Sequence, residues 1–110
     1  MNDTDCVLVM TTLPADADAA TLARTLVETR LAACVNLLPA MDSVYRWEGA
    51  VEQERERQLV IKTTRAQIAD LWERVRELHP YDVPEFIVLP IVDGNDAYLQ
   101  WVGESTRKTE

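Results

Sequence analysis

His79 is the only histidine in the sequence. It stands in His79-Pro80-Tyr81, a compact polar and aromatic corner at the end of a helical pattern. With a single imidazole there is no His–His metal motif. Two roles stay open for this ring: satisfying the last carbonyls of the helix it ends, or binding a ligand. A metal site would need partners brought in by folding. Met10 and Cys34 offer soft sulfur, while Asp82 and Glu85 offer hard oxygen, and none has diagnostic spacing. Lys62 follows the apolar segment Leu59–Ile61. Such a lysine either lays its stem along the surface or, beside Glu85 or Tyr81, supplies the counter-charge for an anionic ligand. Tyr45, Trp47 and Glu54 fall on a hairpin, where aromatics serve as interface anchors more often than as stacking platforms.

The elements that must position these residues follow from hydrophobic periodicity. Cys6 to Met10 is apolar without alternation and reads as a buried strand ended by Pro14. Asp16 and Asp18 supply an acidic start for a helix over about 16–31, with Leu22, Ala23, Leu26, Val27 and Leu31 at helical spacing. Ala33 to Leu38 is a second strand, broken by Pro39 and resumed through Val44, Tyr45 and Trp47. Glu48-Gly49 is a tight turn into a long third strand, about Val51 to Thr63. The distal half of this hairpin is polar, aromatic and charged, and extends beyond any core the domain could build alone.

Thr64 with Gln67 matches a capping box. It opens a helix with Ile68, Leu71, Trp72, Val75 and Leu78 on one face, stopped at His79-Pro80. Phe86 to Val92 is a fourth strand interrupted by Pro90. Asn95 caps a short last helix carrying Leu99, Trp101 and Val102, with Gly103 as its stop. The polar tail from Glu104 is expected to fray, leaving one domain over 1–110 with an ordered core of about 5–103.

The order β-α-β-β-α-β plus a terminal helix is the split βαβ, or ferredoxin-like, α+β sandwich. That plan puts two helices on one face of an antiparallel sheet and leaves the other face wet. Strand one contradicts a wet face. Cys6, Leu8 and Met10 point to one side and Val7 and Val9 to the other, all apolar. Strand four repeats this, with Phe86 and Val88 opposed to Ile87, Leu89 and Ile91. A short third helix cannot cover the second face, so another copy of the chain is the expected cover.

Several function classes fall away. The formal charge is −8, from 19 acidic and 11 basic residues, which repels phosphate backbones and argues against nucleic acid. The basic residues do not cluster. Arg55 and Arg57 alternate with Glu54 and Glu56, the pattern of a solvated face. An acylphosphatase on this fold would need a glycine-containing, basic loop after strand one, whereas Thr11-Thr12-Leu13-Pro14-Ala15-Asp16 has neither. RNA binding would need stacking aromatics on strand three, and Glu54 to Val60 has none. Cys6 and Cys34 read as buried reduced thiols rather than a disulfide pair. No apolar run approaches the ~20 residues that span a bilayer. The polar, acidic first five residues are not a secretory signal, so a cytoplasmic location is the expectation.

Taken together, these segments resemble the CutA, or divalent-cation tolerance, family. The similarity is carried by Arg30-Leu31-Ala32-Ala33-Cys34-Val35-Asn36, by Val44-Tyr45-Arg46-Trp47-Glu48-Gly49, and by Glu54 and Lys62-Thr63-Thr64. His79-Pro80-Tyr81, Val83-Pro84-Glu85 and Tyr98-Leu99-Gln100-Trp101 complete it, so that it runs from about Asp5 to Trp101. The resemblance implies a tight homotrimer like that of PII signalling proteins and a link to tolerance of copper and other divalent metals. It places Tyr45, Trp47, Glu54, Lys62, His79, Tyr81, Glu85 and Trp101 around intersubunit clefts. Where copper binding has been proposed in the family, a cysteine near the end of strand one and adjacent histidines before Pro-Tyr are involved. Met10 and Leu78-His79 stand there instead, which implies copper binding on His79 and Met10 that is weaker than in members with the full set, or none of physiological weight. The expected function is that of a non-enzymatic, trimeric tolerance protein holding a metal ion or small molecule in its clefts. The alternatives are a PII-like small-molecule sensor without metal, or a structural trimer that organises a partner.

Overall fold

A computed structural model describes residues 5–107. The elements are β1 (Cys6–Pro14), α1 (Ala19–Glu28), β2 (Cys34–Leu37), β3 (Met41–Trp47) and β4 (Ala50–Thr64). A 3-10 turn (Arg65–Gln67) then leads into α2 (Ile68–Leu78), β5 (Ile87–Pro90) and α3 (Asp96–Ser105). The sheet runs in the order β2-β4-β1-β5, with β3 paired to the distal part of β4. Every pairing is antiparallel. This is the ferredoxin-like α+β arrangement, with its second strand split into β2 and β3 at Pro39.

Strand parity sorts the core. Val7, Val9 and Leu13 of β1 and Leu59 and Ile61 of β4 point to the side covered by Leu22 and Leu26 of α1 and Leu71 and Val75 of α2. On the other side α3 covers one end only, through Cys6, Ala33, Leu99 and Val102. Beyond it, Ile87 and Leu89 pair with Met10 and Leu8 in register and remain 50% and 38% exposed. The second apolar face is therefore present and largely open.

The hairpin arm leaves the core along β4. Glu48 and Gly49 both adopt positive φ, 49° and 84°, the pair of values a two-residue type I′ turn requires. The arm lifts the radius of gyration to 14.7 Å, above the ~13 Å of a compact domain this size.

Several local expectations are corrected. β1 runs past the apolar stretch to Pro14, the expected stop, with Thr11, Thr12 and Leu13 continuing the ladder against Leu59, Gln58 and Arg57. The segment read as a loop is thus strand as far as Pro14. α1 starts later and stops earlier, because the Asp18 carboxylate accepts the Thr21 N–H and hydroxyl while Arg30 turns left-handed (φ 64°). The N–H groups of Arg30 and Leu31 then bond back to Val27 and Leu26, a Schellman stop. The capping box does not form. Gln67 is buried and instead donates its side-chain amide to the Thr106 carbonyl. Gly103 lies within α3 rather than ending it. Thr106 is buried and bonded to Val102, so the helix continues through Ser105 and is tied down at Thr106. Leu78 is exposed at 46%. Cys34 is half-buried rather than buried, and Cys6 and Cys34 form no disulfide.

Candidate functional site

The segment between α2 and β5 crosses the end of β1 and meets the base of the arm. His79 takes an extended conformation (φ −86°, ψ 136°), as a residue before proline must, and α2 ends there. β5 pairs with β1 only from Val7 to Met10, so the Thr12 carbonyl lies past the ladder and needs a donor. His79 Nε2 supplies it at 2.6 Å. Its Nδ1 accepts the Tyr81 N–H at 3.1 Å, which assigns the tautomer protonated on Nε2. Both ring nitrogens are engaged, and the ring is buried. The neighbouring Tyr81 ring has its centroid 4.9 Å away, tilted by 51° to the imidazole.

Two further bonds pin this segment to β4. The Tyr81 hydroxyl donates to Glu56 Oε2 at 2.8 Å. The Gln58 amide donates to Glu85 Oε2 at 2.9 Å and to the Thr11 carbonyl at 2.8 Å. Phe86 closes the stretch by packing on Trp72 of α2, with centroids 5.0 Å apart.

A groove of about 610 Å³ opens between this segment and the arm. Register explains its wall: Met41, Ser43 and Tyr45 of β3 pair with Glu56, Glu54 and Glu52 of β4, so all six share one face of the arm. Tyr45, Trp47, Tyr81, Glu56, Gln58 and Glu85 carry most of the groove's chemistry, and Asp82 adds a third carboxylate. The carboxylates set the local electrostatics. Desolvation first, then Glu54, Glu52 and Glu56, push the Tyr45 phenol up. Desolvation and the bond to Glu56 push Tyr81 up well beyond the ordinary phenol range.

Of the residues singled out from sequence, Tyr45, Trp47, Tyr81 and Glu85 line this groove. Glu54 sits one step further out on the same face of β4. Lys62 and Trp101 are elsewhere. Six residues separate Lys62 from Glu56 along β4, about 20 Å. The Lys62 ammonium lies 5.6 Å from the Tyr98 ring centroid, and Tyr98 packs on Trp101 at 5.4 Å. Lys62 is thus not beside Glu85 or Tyr81. Met10 faces the open side of the sheet. Cys34 pairs with Lys62 and Met10 with Val60, which puts the two sulfur-bearing residues about 12 Å apart at the backbone. Among the described residues no three His, Cys, Asp or Glu side chains are grouped to hold a metal ion.

Sequence reasoning misses Glu56 and Gln58. It places Glu56 with Arg55 and Arg57 on a solvated face, yet Glu56 is only 7% exposed. The signal lies in the two-residue period of a strand. Glu52, Glu54, Glu56 and Gln58 take one face, whereas Arg55 and Arg57 take the other, where they reach Asp42 and the Leu38 carbonyl.

The family model described as CutA1 divalent ion tolerance protein matches residues 7–105. The chain belongs to the CutA1 divalent ion tolerance family. The divalent-cation tolerance protein CutA of Thermus thermophilus is 50% identical over 99 residues, covering 90% of this chain and 96% of that relative. The CutA of Pectobacterium atrosepticum is 47% identical over 103 residues, 94% of each chain. Solved structures agree. Cut A1 from Thermus thermophilus superposes with a TM-score of 0.89 at 48% identity, covering 93% of this chain and 99% of that one. CutA1 from Oryza sativa gives 0.91 at 42% identity, covering 98% and 100%. A CutA of Arabidopsis thaliana, 46% identical over 92% of this chain and 56% of the relative, is named chloroplastic. No helix among the described residues is long and apolar enough to cross a membrane.

Proposed function

We propose that this CutA family member works as a cytoplasmic homotrimer in divalent-cation tolerance, without catalysis of its own. Its ligand, a small molecule or metal ion, binds in the groove between the arm and the His79–Phe86 segment. The single observation that carries this reading is the groove itself. Its carboxylates are fixed by Tyr81 and Gln58 rather than by cations, and its three aromatic rings stand open toward the ligand space. Trimerisation is supported by the apolar face left by α3, with Ile87 and Leu89 half-open beside Leu8 and Met10. The cluster of Lys62, Tyr98 and Trp101 lies about 20 Å from the groove within one chain. It reaches a cleft with the groove residues only if a neighbouring subunit brings it there.

A small-molecule sensor of the PII type is favoured over direct copper ligation by one observation. His79 donates through Nε2 and accepts through Nδ1, which leaves no lone pair for a metal unless the segment unpins. His79 and Met10 therefore do not fit a resident copper site in this fold. The imidazole is a positioning group that holds Tyr81 over Glu56.

The test is complementation. A bacterial strain lacking its own family member is grown in rising CuCl2 with wild-type chain, Trp47→Ala or Glu56→Gln. Loss of tolerance in both variants, at wild-type levels of folded assembly, is the expected result. Full tolerance in both would leave the groove without a function and favour a structural trimer.

A further inference from the structure

We infer that Arg30 is a positioning residue for the cluster of Lys62, Tyr98 and Trp101: its guanidinium closes the C-terminus of α3 and so fixes the helix that carries both rings. This rests on reading that cluster as part of the ligand cleft, and it adds to the cleft a residue that touches no ligand itself.

The carbonyls at the end of α3 come first. A helix leaves its last four carbonyls without intrahelical donors. α3 has a glycine, Gly103, in its last turn and no basic residue there, so it does little to hold its own end. The Thr106 hydroxyl turns back onto the Val102 and Gly103 carbonyls, at 2.9 and 3.3 Å. The buried Gln67 amide donates to the Thr106 carbonyl. The Thr106 and Arg107 N–H groups fold back onto Glu104. Arg30 Nη1 then reaches the Glu104 and Ser105 carbonyls, 3.4 Å from each. These are long bonds, but they set a full positive charge on the negative end of the helix dipole. Gln67 and Arg30 thus hold the end of α3 from outside it, and of the two only Arg30 brings charge.

The backbone of Arg30 agrees. It sits at φ 64°, a conformation that disfavours any residue with a Cβ and that glycine adopts freely. Stopping α1 there needs only the backbone, through the Arg30 N–H bond to the Val27 carbonyl. Reaching α3 needs the side chain. What that reach secures is Tyr98 and Trp101, whose ring centroids lie 5.4 Å apart with the Lys62 ammonium 5.6 Å from the Tyr98 ring. α3 buries Leu99 and Val102 against Cys6 and Ala33, a small footing for a helix of ten residues. All of these contacts lie within one chain and do not depend on which surface a neighbouring subunit covers.

The experiment is amide hydrogen exchange of the full chain in its native assembly, comparing wild type with Arg30→Gly and Arg30→Lys. Glycine relieves the left-handed backbone and removes the cap, so the two roles separate by sign. Amides of residues 102–105 should exchange about two- to fivefold faster in Arg30→Gly, the range that a charge at a helix C-terminus supports. Core amides at Val9 and Ile61 should be unchanged or slower. Arg30→Lys keeps the charge and should return α3 to slow exchange. In the CuCl2 growth assay, Arg30→Gly should lower tolerance in the same direction as Trp101→Ala, and Arg30→Lys should keep it. Unchanged α3 exchange in Arg30→Gly, or acceleration spread equally over α3 and the core, would overturn the inference. So would full tolerance in Arg30→Gly where Trp101→Ala loses it. If Trp101→Ala itself keeps full tolerance, the cleft reading of the cluster falls, while exchange still decides whether Arg30 holds α3.

Discussion

Replacing Tyr81 by phenylalanine removes one oxygen atom and tests how the groove is held. That oxygen donates to Glu56 Oε2 at 2.8 Å, and Glu56 is 7% exposed. A hydrogen bond to a charged acceptor is worth about 1.5–3 kcal/mol net. The groove admits water, which can take over part of the lost bond, so the lower part of that range applies and the expected loss is about 1.5–2 kcal/mol. Glu56→Gln removes the charge but keeps a carbonyl acceptor, so it should weaken the same bond. In a double-mutant cycle the two changes should couple by about 1 kcal/mol. The assay is urea unfolding near neutral pH at a fixed chain concentration, because assembly makes apparent stability concentration-dependent. Tyr98→Phe on α3 is the control, with an expected change within about 0.5 kcal/mol. If Tyr81→Phe matches that control, or is strictly additive with Glu56→Gln, Tyr81 does not hold the buried carboxylate and the groove's geometry has another origin.

The same bond has a pH signature. Desolvation and Glu56 raise the folded-state pKa of Tyr81, so its contribution is full below the unfolded phenol value of about 10 and is lost as pH rises through the folded value. Tyrosinate absorbance should therefore show phenols titrating later than in the unfolded chain, with one of them absent in Tyr81→Phe; no delay, or a delay unchanged in Tyr81→Phe, would contradict this. Ending the chain after Ser105 removes the acceptor of the buried Gln67 amide and should cost about 1–3 kcal/mol in urea unfolding, whereas a frayed tail would cost nothing. Gly49→Ala places a Cβ at φ 84° and should cost about 1–2 kcal/mol, read by the same assay; an unchanged midpoint would mean the turn relaxes at no cost.

What the sequence carries well is periodic. The order of elements, the parity that separates Val7 and Val9 from Leu8 and Met10, the Glu48-Gly49 turn and the Asn95 cap, which accepts the Tyr98 N–H, are all written in local patterns. What it hides is decided by tertiary partners. Arg30 ends α1 in a conformation that a glycine would have advertised. Gly103 stays helical because Val102 and Thr106 are packed on either side of it. Gln67 looks like half of a capping box, but Thr106 offers its carbonyl instead. The groove is half legible. Tyr45, Trp47, Tyr81 and Glu85 draw attention as residue types, while Glu56 looks like one charge among many. Only the register of β3 on β4, and a tyrosine arriving from 25 residues further along the chain, turn it into a buried carboxylate.

The link between fold and function runs through the face that α3 leaves open. Sedimentation equilibrium of the full chain measures that directly. The prediction is a species of three times the 12.5 kDa chain mass, falling to a folded single chain when Ile87, 50% exposed within one chain, is changed to aspartate. A wild-type chain that sediments as a monomer across the concentration range would contradict it. Leu8, Met10, Ile87 and Leu89 would then face water, and the groove would have no neighbouring subunit to close it.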